Sequence, residues 1–241
     1  MEKGSILYEG KAKRIYTTVE EEVVWVEYKN SATAFNGEKK TDIEGKGALN
    51  NKITSLLFSK LQEQGIESHF MEKISDHEQL VKRVAIIPLE VVVRNVAAGS
   101  LSKRIGLEEG TPLKQTIVEF YYKNDELGDP LLTDEHIDLL QLATQDERQE
   151  LKQKALQVND FLKTLFDDIG VRLIDFKLEF GKDAEGHILL ADEISPDTCR
   201  LWDKETNQKL DKDVFRRDLG SLTDVYQIIL ERLGGSKLCT K

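Results

Sequence analysis

A chain of 241 residues is long enough to bury a large core, either as one domain or as two lobes sharing a cleft. Its net charge of −10 excludes the overall basic footprint of a general nucleic-acid binder, so local clusters of lysine and arginine stand out against an acidic background. Two cysteines, Cys199 and Cys239, and four scattered histidines (His69, His77, His136, His187) supply neither a disulfide framework nor a zinc site.

The opening segment "MEKGSILYEGKAKRIY" has no apolar core of signal-peptide length. Apolar residues never run to the ~18 in succession that a membrane span needs. A cytoplasmic protein in a reducing compartment is expected. The first 45 residues are strand-rich: "SILYEG", "AKRIYTT" and "EVVWVEYKN" are short, β-branched or aromatic, and broken by glycine or polar residues. Lys11 and Lys13 alternate on one face of the second segment, just after Gly10, where two ammonium groups can reach nucleotide phosphates. An edge strand guarded by lysines is the competing reading. The P-loop spacing is absent, also from "GKGALNNK".

A helix follows from Gly47 to Gln64, with Ile53, Leu56, Leu57, Phe58 and Leu61 on its apolar face and Gly65 at its end. "LVKRVAIIPLEVVVRNV" then reads as extended chain linking a smaller N-terminal lobe to a larger C-terminal one, and Pro88 argues against a continuous central strand there. Beyond it, Ala97-Ala98-Gly99-Ser100 leads into a short helix, with Ser100 expected as its N-cap. Beside it Arg94 offers a planar fork for carboxylate or phosphate. An ordinary helix start with a surface arginine is the alternative. "KNDELGDP" places Lys123 and Asp129 in a turn-rich loop.

The longest helix opens at the capping box Thr144-Gln145-Asp146-Glu147 and closes at Gly170. Its stripe of Leu151, Ala155, Val158, Leu162, Leu165 and Ile169 steps by four and three and is structural. In "LIDFKLEFG" the apolar Ile174, Phe176, Leu178 and Phe180 alternate with Asp175, Lys177 and Glu179, so a strand here has one core face and one charged face. It forms a hairpin with "HILLADE" through "GKDAEG". Glu179 and Asp192 then lie opposite each other, where two carboxylates can hold one hard cation such as magnesium. A pair of surface acids is the alternative. "ISPDTCRLWD" sets Asp197 and Arg200 just past the second strand. A final helix runs from about Leu222 to Leu233, and "SKLCTK" after it is expected to fray. No nucleophilic Ser-His or Cys-His set and no internal repeat is present.

With "IIPLEVVVRNVAAGS" and "LIDFKLEFG" both in view, the chain resembles the SAICAR synthetase family of purine biosynthesis. The likeness extends from "LYEGKAKRIY" through "NDELGDP", "SPDTCRLWDKET" and "DKDVFRRDLG" to "ERLGG", leaving out only the last six residues. It implies an α+β fold of two lobes similar to the ATP-grasp and protein-kinase arrangement. An antiparallel N-terminal lobe over residues 1–84 would bind ATP, and a larger α+β lobe over residues 85–241 would bind substrate and metal. The implied activity is an ATP-dependent ligase joining L-aspartate to the carboxylate of carboxyaminoimidazole ribonucleotide. Magnesium is the implied metal and a homodimer the implied assembly, with small molecules as partners and neither nucleic acid nor membrane.

By the same resemblance Lys11, Lys13 and Lys123 meet ATP phosphates, while Arg83, Val84, Ala85 and Ile86 border adenine. Glu179, Asp192 and Asp129 would hold the metal. Arg94, Ser100, Asp175, Lys177 and Arg200 would surround the ribonucleotide, with Lys177 and Asp175 closest to the chemistry. A carboxylate acylates poorly, so amide formation calls for an acyl phosphate and for positive charge around phosphoryl oxygens. The competing readings are a small-molecule kinase of related fold and a nucleotide-binding module without activity.

Overall fold

The computed structural model describes residues 1–34 and 37–235. The segment "SKLCTK" lies outside the described residues. The three N-terminal segments are strands: β1 (Ile6–Glu9), β2 (Lys13–Thr17) and β3 (Val23–Tyr28). A separate hairpin, β4 (Ser31–Ala34) with β5 (Lys39–Asp42), precedes α1 (Lys46–Glu63). After it come β6 (Phe70–Lys73) and β7 (Glu78–Lys82), completing an antiparallel sheet of order β1-β2-β3-β7-β6. Val24, Val26 and Tyr28 of β3 pack with Val81 as a small core of their own. Lys11 precedes β2 instead of sharing a strand face with Lys13, because the chain bends between Gly10 and Lys13.

Helix α1 is buried on more than its apolar face. Ile53, Leu57, Phe58 and Leu61 enter the main core, while polar residues elsewhere on the helix bond to backbone: Asn51 Nδ2 donates to the carbonyls of Ser75 and Asp76, and Thr54 Oγ1 to that of Ile194. Those bonds make burial of the polar side tolerable. α1 thus serves as a shared wall between the N-terminal strands and the second half of the chain.

That second half contains β8 (Ala85–Val96), α2 (Gly99–Ile105), β9 (Pro112–Tyr122), a 3-10 turn at Asp125–Leu127, β10 (Leu131–Leu132) and α3 (Asp134–Leu139). Then come α4 (Gln145–Asp168), β11 (Val171–Lys182), β12 (Ile188–Ala191), β13 (Cys199–Asp203), α5 (Asp213–Arg216) and α6 (Leu222–Arg232). The six-stranded sheet has the order β10-β9-β8-β11-β12, with β13 also pairing β11. The antiparallel sheets and the segregated helices make this an α+β fold of two lobes.

Pro88 does not interrupt β8, which is continuous and central. The ladder to β11 shifts register between the pairs Glu179↔Glu90 and Gly181↔Ile86, and pairing to β9 begins only at Leu89, so no ladder bond needs the missing N–H of Pro88. The capping box at Thr144 and Glu147 forms in full, and Leu151, Ala155, Val158 and Leu162 are fully buried against the sheet. Phe176, Leu178 and Phe180 of β11 enter the same core. Ile174 instead packs with Ala98 and Trp202, beside the register shift between Leu173 and Asp175. Among the described residues no helix is long and apolar enough to cross a membrane.

Candidate active site

Strand β11 is longer than either partner on its outer edge. β13 pairs with its first half, up to Phe176↔Cys199, and β12 with its last part, from Glu179↔Ala191. Between them the ladder lapses at Lys177, whose N–H donates to the carbonyl of Thr198. The loop from Asp192 to Thr198 therefore leaves the sheet beside the charged face of β11. On the inner edge β8 places Arg94 opposite Asp175, Val92 opposite Lys177 and Glu90 opposite Glu179. Together with the glycine turn before β2, these walls enclose a cleft of about 720 Å³.

Glu179 is opposite Ala191, not Asp192. Asp192 follows the end of β12 with φ 59°, a left-handed conformation that turns its carboxylate out of strand alternation. There Lys13 Nζ donates to Asp192 Oδ1 at 2.5 Å and pairs with Glu193 Oε1 at 3.0 Å, joining the two sheets across the cleft. Burial opposes charge on the Asp192 carboxyl, but Lys13 and Lys177 outweigh it and draw the group down to about 2. Lys177 Nζ donates to Glu90 Oε1 at 2.6 Å and to Glu179 Oε1 at 3.0 Å, and Lys123 Nζ donates to the same Glu179 oxygen at 2.8 Å. Burial works against the Lys177 ammonium, yet Glu179, Glu90 and Asp192 hold its pKa well above the ordinary lysine value. The Glu90 carboxyl is raised, mainly by burial.

At the other end of β11, Asp175 lies between two guanidinium groups. Arg94 Nη1 donates to its Oδ2 at 3.0 Å and Arg200 Nη1 to both oxygens at 3.0 and 3.1 Å. Arg94 also donates to Glu119, Tyr121 and Ser100, the last at 3.1 Å. Ser100 is not the N-cap of α2; Ala98 takes that position without a side-chain bond, and the Ser100 hydroxyl is used as an acceptor for Arg94. Arg200 Nε donates to Asp213 Oδ2 at 3.2 Å. Gly99, with φ 55°, lets the backbone pass so close to Arg200 that a Cβ would fall 2.5 Å from Nη2.

Lys11, Lys13, Arg94, Ser100, Lys123, Asp129, Asp175, Lys177, Glu179, Asp192 and Arg200 thus border one cleft. Lys11 reaches Asp125 at 2.7 Å from an exposed position. Asp129 Oδ1 accepts from the N–H of Asn124 and so closes its own turn. Arg83, Val84, Ala85 and Ile86 do not line this cavity. Arg83 and Val84 join β7 to β8, which Ala85 and Ile86 begin, with Val84 against Gly181, where a Cβ would meet Val84 Cγ2 at 2.6 Å. Asp197 is taken by Lys46 Nζ and by the Tyr226 hydroxyl, both at 2.5 Å. Asp183, Glu185 and His187 bring possible ligand atoms within 4.8 Å of one another in the β11–β12 turn, but none of the three lines the cleft.

Sequence reasoning missed Glu90, which shares a face with Arg94 by simple alternation, and Glu193, beside Asp192. It also assigned no role to Lys212 and Arg216, which line the cleft from α5.

Residues 6–233 match the family model for SAICAR synthetase. The chain belongs to the SAICAR synthetase family. A phosphoribosylaminoimidazole-succinocarboxamide synthase of Lysinibacillus sphaericus is 70% identical over 235 residues, covering 98% of this chain and 100% of the relative. The crystal structure of the synthase from Ehrlichia chaffeensis superposes with a TM-score of 0.93 at 48% identity, covering 98% of this chain and 100% of the other. A SAICAR synthetase solved in complex with ADP matches equally well in TM-score, 0.93, at 48% identity over 97% of this chain and 99% of that one.

The donor set fits what such an enzyme would have to hold. Glu179 and Asp192 offer hard carboxylate oxygens within reach of Lys13 and Lys123, the combination suited to a magnesium ion shared with nucleotide phosphates. Both ammonium contacts to Glu179 fall on Oε1, which leaves Oε2 as an oxygen donor.

Proposed function

We propose that this chain catalyses the ATP-dependent condensation of carboxyaminoimidazole ribonucleotide with L-aspartate, giving SAICAR, ADP and phosphate in purine biosynthesis. Residues 1–84 act as the ATP-binding lobe and residues 85–241 as the lobe for substrate and metal. The position of Lys177 carries this reading: it lies between the carboxylates Glu90 and Glu179 on one side and the Asp175–Arg94–Arg200 cluster on the other. A cation there faces both a phosphoryl group and a substrate carboxylate.

On this reading Lys11, Lys13 and Lys123 neutralise ATP phosphates, the 83–86 linker borders adenine, and Glu179, Asp192 and Asp129 are the metal carboxylates. Bound magnesium would supply charge neutralisation on the phosphoryl oxygens. Arg200 and Ser100, held in place by Arg94 and Asp175, grip the ribonucleotide phosphate, where a bidentate guanidinium is suited to the oxygens. Lys177 aligns the ribonucleotide carboxylate for attack on the γ-phosphorus, with ADP leaving. The amine of aspartate then attacks the acyl carbon, loses a proton and expels phosphate. The Cys199 thiol at the cleft is buried, which raises its pKa, and the Ser100 hydroxyl accepts from Arg94, so both are poorly suited as nucleophiles, which agrees with a substrate carboxylate in that role. The working enzyme is taken to be a cytoplasmic homodimer.

Product analysis with each substrate withheld in turn tests the function. ADP release that needs the ribonucleotide, with amide formed only when aspartate is present, is the expected result. A stable phosphorylated product with aspartate left unconsumed would make the chain a kinase. ATP turnover indifferent to the ribonucleotide would remove the ligase reading altogether.

A further inference from the structure

Strand β9 supplies none of the groups placed at ATP, the metal or the ribonucleotide, yet two of its side chains rise from the same face of the sheet. Tyr121 pairs opposite Glu90 and Glu119 opposite Val92, and both partners line the cleft. Arg94, Ser100 and Tyr121 belong to that lining, while Glu119 and Arg104 lie outside it.

Glu119 divides its two oxygens between two arginines. Oε2 accepts from Arg94 Nε at 2.9 Å and Oε1 from Arg104 Nη2. Tyr121 completes the set: its hydroxyl accepts from Arg94 Nη2 at 2.9 Å and from Arg104 Nη1 at 3.0 Å, and donates to Glu119 Oε2 at 3.1 Å. Two guanidinium groups that share one phenol oxygen repel each other, and the carboxylate between them offsets that repulsion. A carboxylate accepts on both oxygens; an amide of the same shape would turn N–H donors toward one of the arginines.

The two arginines belong to different elements. Arg94 of β8 is 3% exposed, whereas Arg104 of α2 has 32% of its side chain exposed. Helix α2 has little else to hold it. It is seven residues long, Leu101 is its one buried residue, and its N-cap Ala98 makes no side-chain bond. So short a helix does not stabilise itself. Ser100 and Arg104, four positions apart, share one of its faces. Ser100 accepts from Arg94 Nη2 at 3.1 Å, and Arg104 meets Glu119 and Tyr121, so both attachments of that face run through one network. The place of the Ser100 hydroxyl in the cleft is thereby set from β9.

We infer that Glu119 is a positioning residue of this enzyme: by holding Arg94 and Arg104 together it fixes α2, and with it the end of the cleft that takes the ribonucleotide. The identity of that ligand rests on the ligase reading; the placing of α2 rests on the geometry alone.

Glu119→Gln, which keeps the volume, tests it in two ways. In initial rates with each substrate varied in turn, the KM for the ribonucleotide is expected to rise roughly tenfold, while those for ATP and aspartate stay within about twofold. Amide hydrogen exchange needs no substrate: the N–H groups of α2 should exchange roughly tenfold faster in the variant, with those of α4 and β11 unchanged. Glu119→Asp keeps both acceptors on a shorter stem and should recover part of each loss. Arg104→Gln should reproduce a fraction of both effects, and the double variant should lose less than the sum of the two, because they remove one shared contact. Should Glu119→Gln fail to fold, Arg104→Gln, at the more exposed end of the pair, carries both measurements.

A ribonucleotide KM that stays the same, a rise shared equally by all three substrates, unchanged exchange in α2, or losses that add in the double variant would each overturn the inference. A falling KM would also overturn it and make Glu119 a brake on arginine charge. Failure of the ligase reading is separate: the wild type would form no amide from aspartate, while α2 would still exchange faster in the variant.

Discussion

A methyl group on Gly99 would lie 2.5 Å from Nη2 and 2.7 Å from Cζ of Arg200. That guanidinium cannot swing aside freely, because Asp175 and Asp213 hold it from two directions. The left-handed φ of 55° adds a backbone penalty of about 1–2 kcal/mol for any residue with a Cβ. Gly99→Ala is therefore expected to raise the ribonucleotide KM more than the ATP KM, and steady-state kinetics on both substrates checks it. Glu179→Gln and Asp192→Asn change volume little but remove a hard anionic ligand each. Turnover in both should fall steeply at low magnesium and recover in part with excess metal. Normal rates at low magnesium would return both carboxylates to a purely structural role.

Asp211 links two elements that border the cleft: its Oδ2 accepts from the N–H of Leu201 in β13 and its Oδ1 from that of Asp213 in α5. Burial and neighbouring Asp213 push its carboxyl up to about 7, against the pull of those two N–H groups. A carboxyl raised in the folded state contributes stability in full below its ordinary value near 3.8 and loses it as pH rises through about 7. The wild type should lose stability relative to Asp211→Asn over that interval, by no more than about 1.4 kcal/mol per pH unit. Denaturant midpoints of both proteins at several pH values measure it, and a gap that does not move with pH contradicts the assignment. At this scale the sequence was informative where alternation survives. β11 declares a core face and a charged face that carries Asp175, Lys177 and Glu179, and the stripe of α4 declares burial; that Arg94 shares their site was implied only by the family resemblance. Asp192 was legible as a partner of Glu179, but its register was not, because it follows the end of β12 with a left-handed φ and Glu179 pairs with Ala191. Ser100 looked like an N-cap only while the buried guanidinium of Arg94 that uses it was out of view. Lys212 and Arg216 were given no role, because nothing in the run "DKDVFRR" marks which of its charges line the cleft.

The described residues form two large sheets and the small β4–β5 hairpin, drawn together by ion pairs across the space where the substrates must meet. Lys13 of the N-terminal sheet binds Asp192 and Glu193, Lys11 reaches Asp125, and Lys39 fastens its hairpin beyond α5. That arrangement explains how an acidic protein can serve three anionic substrates: eight of its 34 lysines and arginines border one cleft, most of them held there by carboxylates. The central claim is that this cleft activates a substrate carboxylate by phosphorylating it, with Lys177 as the aligning cation. It is tested most directly by labelling the carboxylate of carboxyaminoimidazole ribonucleotide with heavy oxygen and analysing the inorganic phosphate released by the wild type and by Lys177→Met. One labelled oxygen should pass into phosphate for every amide formed, and the variant should turn over about 10²–10³-fold more slowly with the label still transferred. Unlabelled phosphate alongside normal amide formation, or a variant with near wild-type turnover, would contradict the account.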